Sequence, residues 1–218
     1  MTIIVNCKAY AEGTGANAVK LAKICEQVAK KEKIAIAIAV QAADIERVAS
    51  AVSIPVFAQH VDAVEFGAHT GWTLPESVHE AGAVGSLINH SELRVPEGMI
   101  KAIVGRLKEL GMISVVCAAN PGEEERLSKF KPDMLAVEPP QLIGGKISVS
   151  EAQPEIISES VKRGKGIPVL VGAGVHTAKD VATAVKLGAM GVLVASGVVL
   201  AKDQKKALTE LVRGFKPF

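Results

Sequence analysis

Short apolar runs recur along the chain at a nearly even interval: Ile3–Val5, Ile34–Val40, Val56–Ala58, Ala83–Ile88, Met112–Ala118, Met134–Val137, Pro168–Val171 and Met190–Val194. Each is brief and rich in aliphatic residues, with little polar alternation, as expected of strands buried on both faces. Between most of them the pattern turns helical. From Thr14 to Lys31, Ala18, Leu21, Ala22, Cys25, Val28 and Ala29 form one stripe, with lysines and Glu26 opposite. From Pro96 to Leu110, Ile100, Ile103, Val104, Leu107 and Leu110 repeat the pattern, and Gly111 supplies a stop. Helix starts are predicted at Asn120-Pro121-Gly122-Glu123, Ser150-Glu151-Ala152-Gln153 and Thr177-Ala178-Lys179-Asp180, where a capping side chain precedes a reciprocal acid or amide. The stretch from Val61 to Pro75 shows no helix and reads as a long exposed loop, functional or interfacial.

Alternating strands and helices imply parallel strands joined by right-handed crossovers. Eight units in 218 residues, roughly 27 residues each, fit a compact α/β (β/α)8 barrel in one domain spanning residues 1–218. An open doubly wound sheet is the rival. Its G-x-G-x-x-G turn is absent after the first strand, which ends in Asn6-Cys7-Lys8.

Composition narrows the function classes. The chain is 49% hydrophobic but only 3% aromatic, so Val, Ile, Leu and Ala must build the core. A net charge of +2 predicts neither a nucleic-acid nor a membrane surface. No basic region precedes the first apolar run, so no signal peptide is expected. Cys7, Cys25 and Cys117 lie far apart in apolar settings, as in a reducing cytoplasm.

In barrels of this kind chemistry gathers at the carboxyl ends of the strands. There the sequence places Asn6 and Lys8 after run one, Gln59 and His60 after run three, Asn89-His90-Ser91-Glu92 after run four, and Glu138 after run six. Glu138 precedes Pro139-Pro140 and, after Gln141-Leu142-Ile143, Gly144-Gly145: a stiff hinge, a small apolar tip and a supple hinge, as in a lid. It reads either as a strand-capping carboxylate or as a general base beneath that lid. Lys8 is a solvated lysine or a functional cation, and Asn6, two residues earlier on the same face, orients it. His90 is a satisfied core histidine or, at a short helix start, a neutral electrophile. Gly172-Ala173-Gly174 and Ala195-Ser196-Gly197 are tight turns or, through exposed backbone N–H groups, a phosphate corner. His60, His69, His79 and His176 share no metal-ligand spacing, so no metal is expected.

On these motifs the sequence resembles the triosephosphate isomerase family, in its shortened archaeal type, over the whole chain. The residues that carry the likeness are Asn6-x-Lys8, Asn89-His90-Ser91-Glu92, Val137-Glu138-Pro139 with Ile143-Gly144, Gly172-x-Gly174-Val175 and Val194-Ala195-Ser196-Gly197. The resemblance implies cofactor-independent interconversion of dihydroxyacetone phosphate and D-glyceraldehyde 3-phosphate, an activity of glycolysis and gluconeogenesis. It implies that Glu138 is the shuttling base, His90 the neutral electrophile, and Lys8 with Asn6 the stabilisers of the enediolate oxygens. It further implies Glu92 as a supporting acid near Lys8, and Ile143, Gly144, Gly174, Ala195 and Ser196 as phosphate ligands. A homo-oligomer is implied too, a tetramer more than a dimer; Trp72 is an interface residue or a plain loop anchor. Other phosphate-binding barrel enzymes, and a non-catalytic phosphate-binding barrel, are the alternatives. Two departures stand out: Pro140-Gln141-Leu142 in the lid, and Ala195-Ser196 at the last turn.

Overall fold

The computed structural model describes residues 1–142 and 148–215. Eight strands close into a parallel barrel in sequence order: β1 Thr2–Asn6, β2 Ala35–Val40, β3 Val56–Ala58, β4 Gly85–Ile88, β5 Ile113–Ala118, β6 Met134–Val137, β7 Val169–Val171 and β8 Gly191–Val194. Closure comes from β8 pairing with β1, with Thr2 opposite Gly191 and Val5 opposite Val194. The helices among the described residues are α1 Ala16–Glu32, α2 Ile45–Ala49, α3 Pro75–Glu80, α4 Glu97–Glu109, α5 Pro121–Leu127, α6 Val149–Ala152, α7 Pro154–Arg163, α8 Ala178–Lys186, α9 Ser196–Val199 and α10 Gln204–Arg213. All eight predicted strands are present, and the open-sheet alternative is ruled out by the closed strand order.

Strand alternation divides the core in two. Ile4, Ala37, Ala39, Phe57, Leu87, Val115, Cys117, Ala136, Leu170 and Leu193 fill the barrel interior. Ile3, Val5, Ile36, Ile38 and Val40 belong to the outer cluster with Leu21, Cys25 and Val28 of α1. Continuing the inner period by two residues past the interior layer reaches Asn6, Asn89, Glu138, Gly172 and Ala195. The same rule that packs the core therefore delivers the polar residues to the mouth.

Capping matches the sequence in two places and departs in a third. Asn120 accepts from the Glu123 N–H, and Thr177 with Asp180 forms a full capping box. Glu123, however, reaches back one residue further than expected, to the Ala119 N–H at 2.7 Å. Ser150 is not a cap. Ser148, with extended backbone, caps α6 by accepting from the Glu151 N–H, while the Ser150 hydroxyl donates to the Asp180 carbonyl. Residues 61–74 carry no helix, and Phe66 and Trp72 stand 75% and 51% exposed within them.

Between α5 and α7, Glu124 is fully buried and neither carboxyl oxygen has a hydrogen-bond partner. Burial pushes its carboxyl up to about 7, against the weaker pull of nearby Ser160. The folded state therefore binds a proton that the unfolded chain releases from about pH 4.5 upward. Stability from this group is complete below pH 4.5, falls as pH rises to about 7 and is level beyond. Glu124→Gln is expected to remove this slope, worth about 3 kcal/mol at most. Chemical denaturation of both proteins from pH 4 to pH 8 measures it.

Candidate active site

One hollow at the carboxyl ends of the strands is lined by Asn6, Lys8, His90 and Glu138, together with Gly174, Ala195 and Ser196. The side chains expected to meet there do meet. Lys8 sits just past β1 in the left-handed region, φ 48°, which is uncommon for a non-glycine residue. Asn6 Oδ1 accepts the Lys8 backbone N–H at 3.0 Å, and Gln59 Nε2 donates to the Lys8 carbonyl at 2.9 Å. This pins the backbone so that the ammonium meets Glu92 Oε1 at 2.7 Å.

His90 is buried, and no helix starts beside it: residues 91–92 form a turn. The turn aims the Glu92 N–H at His90 Nδ1, 3.2 Å away. A donor there requires a lone pair on Nδ1, so the ring's proton sits on Nε2. Nε2 faces Glu138 Oε2 across 3.4 Å. A backbone amide in a turn, not a helix start, thus meets the ring and orients it.

Glu138 ends β6 directly before Pro139, and Oε2 is buried without a hydrogen-bond partner. Burial raises its carboxyl above the usual range, against the opposing pull of His90, the Cys117 thiol and Lys8. Gly172 makes this placement possible, because a Cβ there would lie 2.5 Å from Glu138 Cγ. The glycine read as part of a phosphate turn is needed for close approach to the carboxylate. Ala173 and Gly174 both take left-handed backbone, φ 67° and 73°, which shapes that turn.

Several residues around the site were not assigned from sequence. Gln59 stood at the correct strand end, yet nothing in the letters showed it reaching back to Lys8. Cys117 points into the barrel beside Glu138, and burial first, then the Glu138 charge, raises its thiol. Tyr10 and His176 also line the hollow. Arg94 and Glu123 form an ion pair joining the loop after β4 to the start of α5. Ile143, expected at the lid tip, and Gly144, expected in its rear hinge, lie outside the described residues. Pro140–Leu142 forms a single 3-10 turn immediately after the Glu138-Pro139 step. Among the described residues, no group of three or more His, Cys, Asp or Glu is arranged to hold a metal ion.

The triosephosphate isomerase family model matches residues 1–214. A triosephosphate isomerase of Methanothermus fervidus is 49% identical over 214 residues, covering 96% of each chain. One from Archaeoglobus fulgidus is 50% identical over the same span and coverage. The chain belongs to the triosephosphate isomerase family. A crystal structure of the triosephosphate isomerase of Bartonella henselae shares the fold, with TM-score 0.73 over 91% of this chain and 93% of that one, at 18% identity. Family membership rules out an unrelated phosphate-binding barrel as the source of the motifs. The relatives' near-complete coverage also agrees with the span of the barrel, whose elements run from Thr2 to Arg213.

A buried carboxyl with a raised folded value costs stability as pH rises, by the same sign as Glu124. Glu138→Gln removes that buried charge. Its melting temperature is expected to exceed the parent's by a margin that widens from pH 4.5 upward and then levels. Differential scanning calorimetry across that range tests this; equal margins at every pH would contradict it.

Proposed function

We propose that the chain interconverts dihydroxyacetone phosphate and D-glyceraldehyde 3-phosphate, with Glu138 as base and His90 and Lys8 as electrophiles. The observation that carries the reading is Glu138 Oε2, buried without a hydrogen-bond partner in a hollow it shares with an imidazole and an ammonium. A carboxylate with a free lone pair, shielded from water, is set to take a proton from carbon. Removing a proton beside a carbonyl turns the carbonyl oxygen into an enediolate oxygen. That oxygen needs donors already in place. His90 Nε2–H is one such donor, and Lys8 Nζ, held near the hollow through Asn6, Gln59 and Glu92, is the other. Returning the proton to the neighbouring carbon exchanges ketone for aldehyde, and Glu138 ends as it began. No cofactor enters the balance.

The phosphate end of the substrate fits the turns after β7 and β8. Gly174, Ala195 and Ser196 line the hollow there, and small side chains leave their backbone N–H groups open to an anion. Ile143 and Gly144 complete this reading as the lid's contribution. The barrel uses elements from residue 2 to residue 213, which supports reading the chain as one domain. Three free, buried cysteines support a cytoplasmic setting.

We further infer that the chain self-associates through the loop of residues 61–74, as a tetramer more than a dimer. Phe66 and Trp72 are large apolar side chains standing in solvent on one loop, which favours a covering partner. Sedimentation equilibrium is expected to give a multiple of 22.7 kDa, and Phe66→Lys with Trp72→Lys to reduce it. A monomeric parent would dismiss the interface.

The catalytic assignment is tested by Glu138→Asp, which withdraws the carboxylate by one methylene. A coupled isomerase assay is expected to lose about 10²-fold in kcat, with KM and the circular dichroism spectrum little changed. An undiminished rate would take Glu138 out of the mechanism.

A further inference from the structure

His176 has no part in the chemistry described above, and its sequence context suggested no metal. It nevertheless lines the same hollow as Lys8, His90 and Glu138. The base of its side chain is well anchored. The His176 N–H donates to Asp180 Oδ2 at 3.1 Å, next to the Thr177–Asp180 capping box that starts α8. Asp180 is itself held by Ser148, whose hydroxyl donates to Oδ1 at 2.6 Å. From this anchor the ring reaches across to the turn after β8. A Cβ on Gly197 would lie 2.5 Å from His176 Nδ1 and 3.2 Å from Cε1. The imidazole thus occupies the space that a side chain at 197 would need, between the two small-residue turns.

We propose that His176 is an additional phosphate-binding side chain of this site, donating a ring N–H to the substrate's phosphate from the rim between the β7 and β8 turns. The proposal rests on the isomerase reading and deepens it. A phosphate brings negative charge into a hollow that already holds the Glu138 carboxylate. Lys8 faces competition there, since its ammonium pairs with Glu92. Gly174 and Ala195 offer only backbone dipoles, and Ser196 adds a neutral hydroxyl. His176 adds a side-chain donor, and it stands exposed at the mouth, where an incoming anion passes first. Gly197 accounts for the ring's position: glycine there leaves room for the imidazole over the turn.

The test uses the full-length protein, with inorganic phosphate as the probe. His176→Ala is expected to raise both the inhibition constant of phosphate and KM for glyceraldehyde 3-phosphate about tenfold, the usual scale for a hydrogen bond to a charged group. Its loss of kcat/KM on the phosphorylated triose should exceed its loss on phosphate-free glyceraldehyde by a similar factor. His176→Gln, which keeps an N–H donor of comparable reach, should recover part of the phosphate affinity. It also serves if the alanine variant fails to fold. Equal losses on the two substrates would overturn the proposal, since the ring would then act only by packing against Gly197. So would an inhibition constant within twofold of the parent's. A parent protein that turns over no triose phosphate would remove the isomerase reading itself, and this one with it.

Discussion

The mouth of the barrel depends on a contact at its opposite end, where β8 meets β1 and closes the ring. Gly191 lies against the Thr2 backbone there, and a Cβ at that position would come within 2.0 Å of the Thr2 carbonyl oxygen. Only the absence of a side chain lets the two strands come into register, Thr2 opposite Gly191 and Val5 opposite Val194. Closure then dictates which residues face inward on every strand, because the side-chain period is two. A slip of one residue at this seam would turn Ile4 and Asn6 outward. The apolar interior and the polar mouth are thus successive layers of one alternation.

Within that frame the site holds a charge the fold would rather not bury. Glu138 is surrounded by Gly172, His90, Cys117 and Lys8, and burial outweighs all the help its neighbours give. A carboxylate satisfied by several N–H donors would be more stable and a weaker base. Leaving Oε2 without a hydrogen bond preserves its basicity, and the outer core of aliphatic side chains bears the resulting cost. Glu124 shows the same burial penalty without a site around it, which marks a raised carboxyl alone as a poor sign of function.

Much of this was legible in the letters because the fold repeats. Eight apolar runs with helical stretches between them leave few topologies, and the observed strands coincide with those runs to within a residue or two at each end. Lys8, His90 and Glu138 were legible because each follows directly on a buried run. What stayed hidden depends on contacts between distant segments. Gln59 reaches Lys8 across 51 positions, and Ser148 rather than Ser150 caps α6 because Asp180, on another helix, engages the Ser150 hydroxyl through its carbonyl. His90 looked like a helix start, yet one backbone N–H from Glu92 suffices to fix its proton. His176 was read only for metal spacing, so its reach over Gly197 had no signature in one dimension.

The left-handed backbone at Lys8 has a consequence for anyone reshaping this scaffold. Such a twist in a non-glycine residue costs on the order of 1 kcal/mol, and here it is maintained by Asn6 and Gln59. Glycine at position 8 would relieve it and firm the scaffold, but would discard the ammonium. The barrel thus keeps a small wound spring at its mouth, and sturdiness gained there would be taken from chemical power.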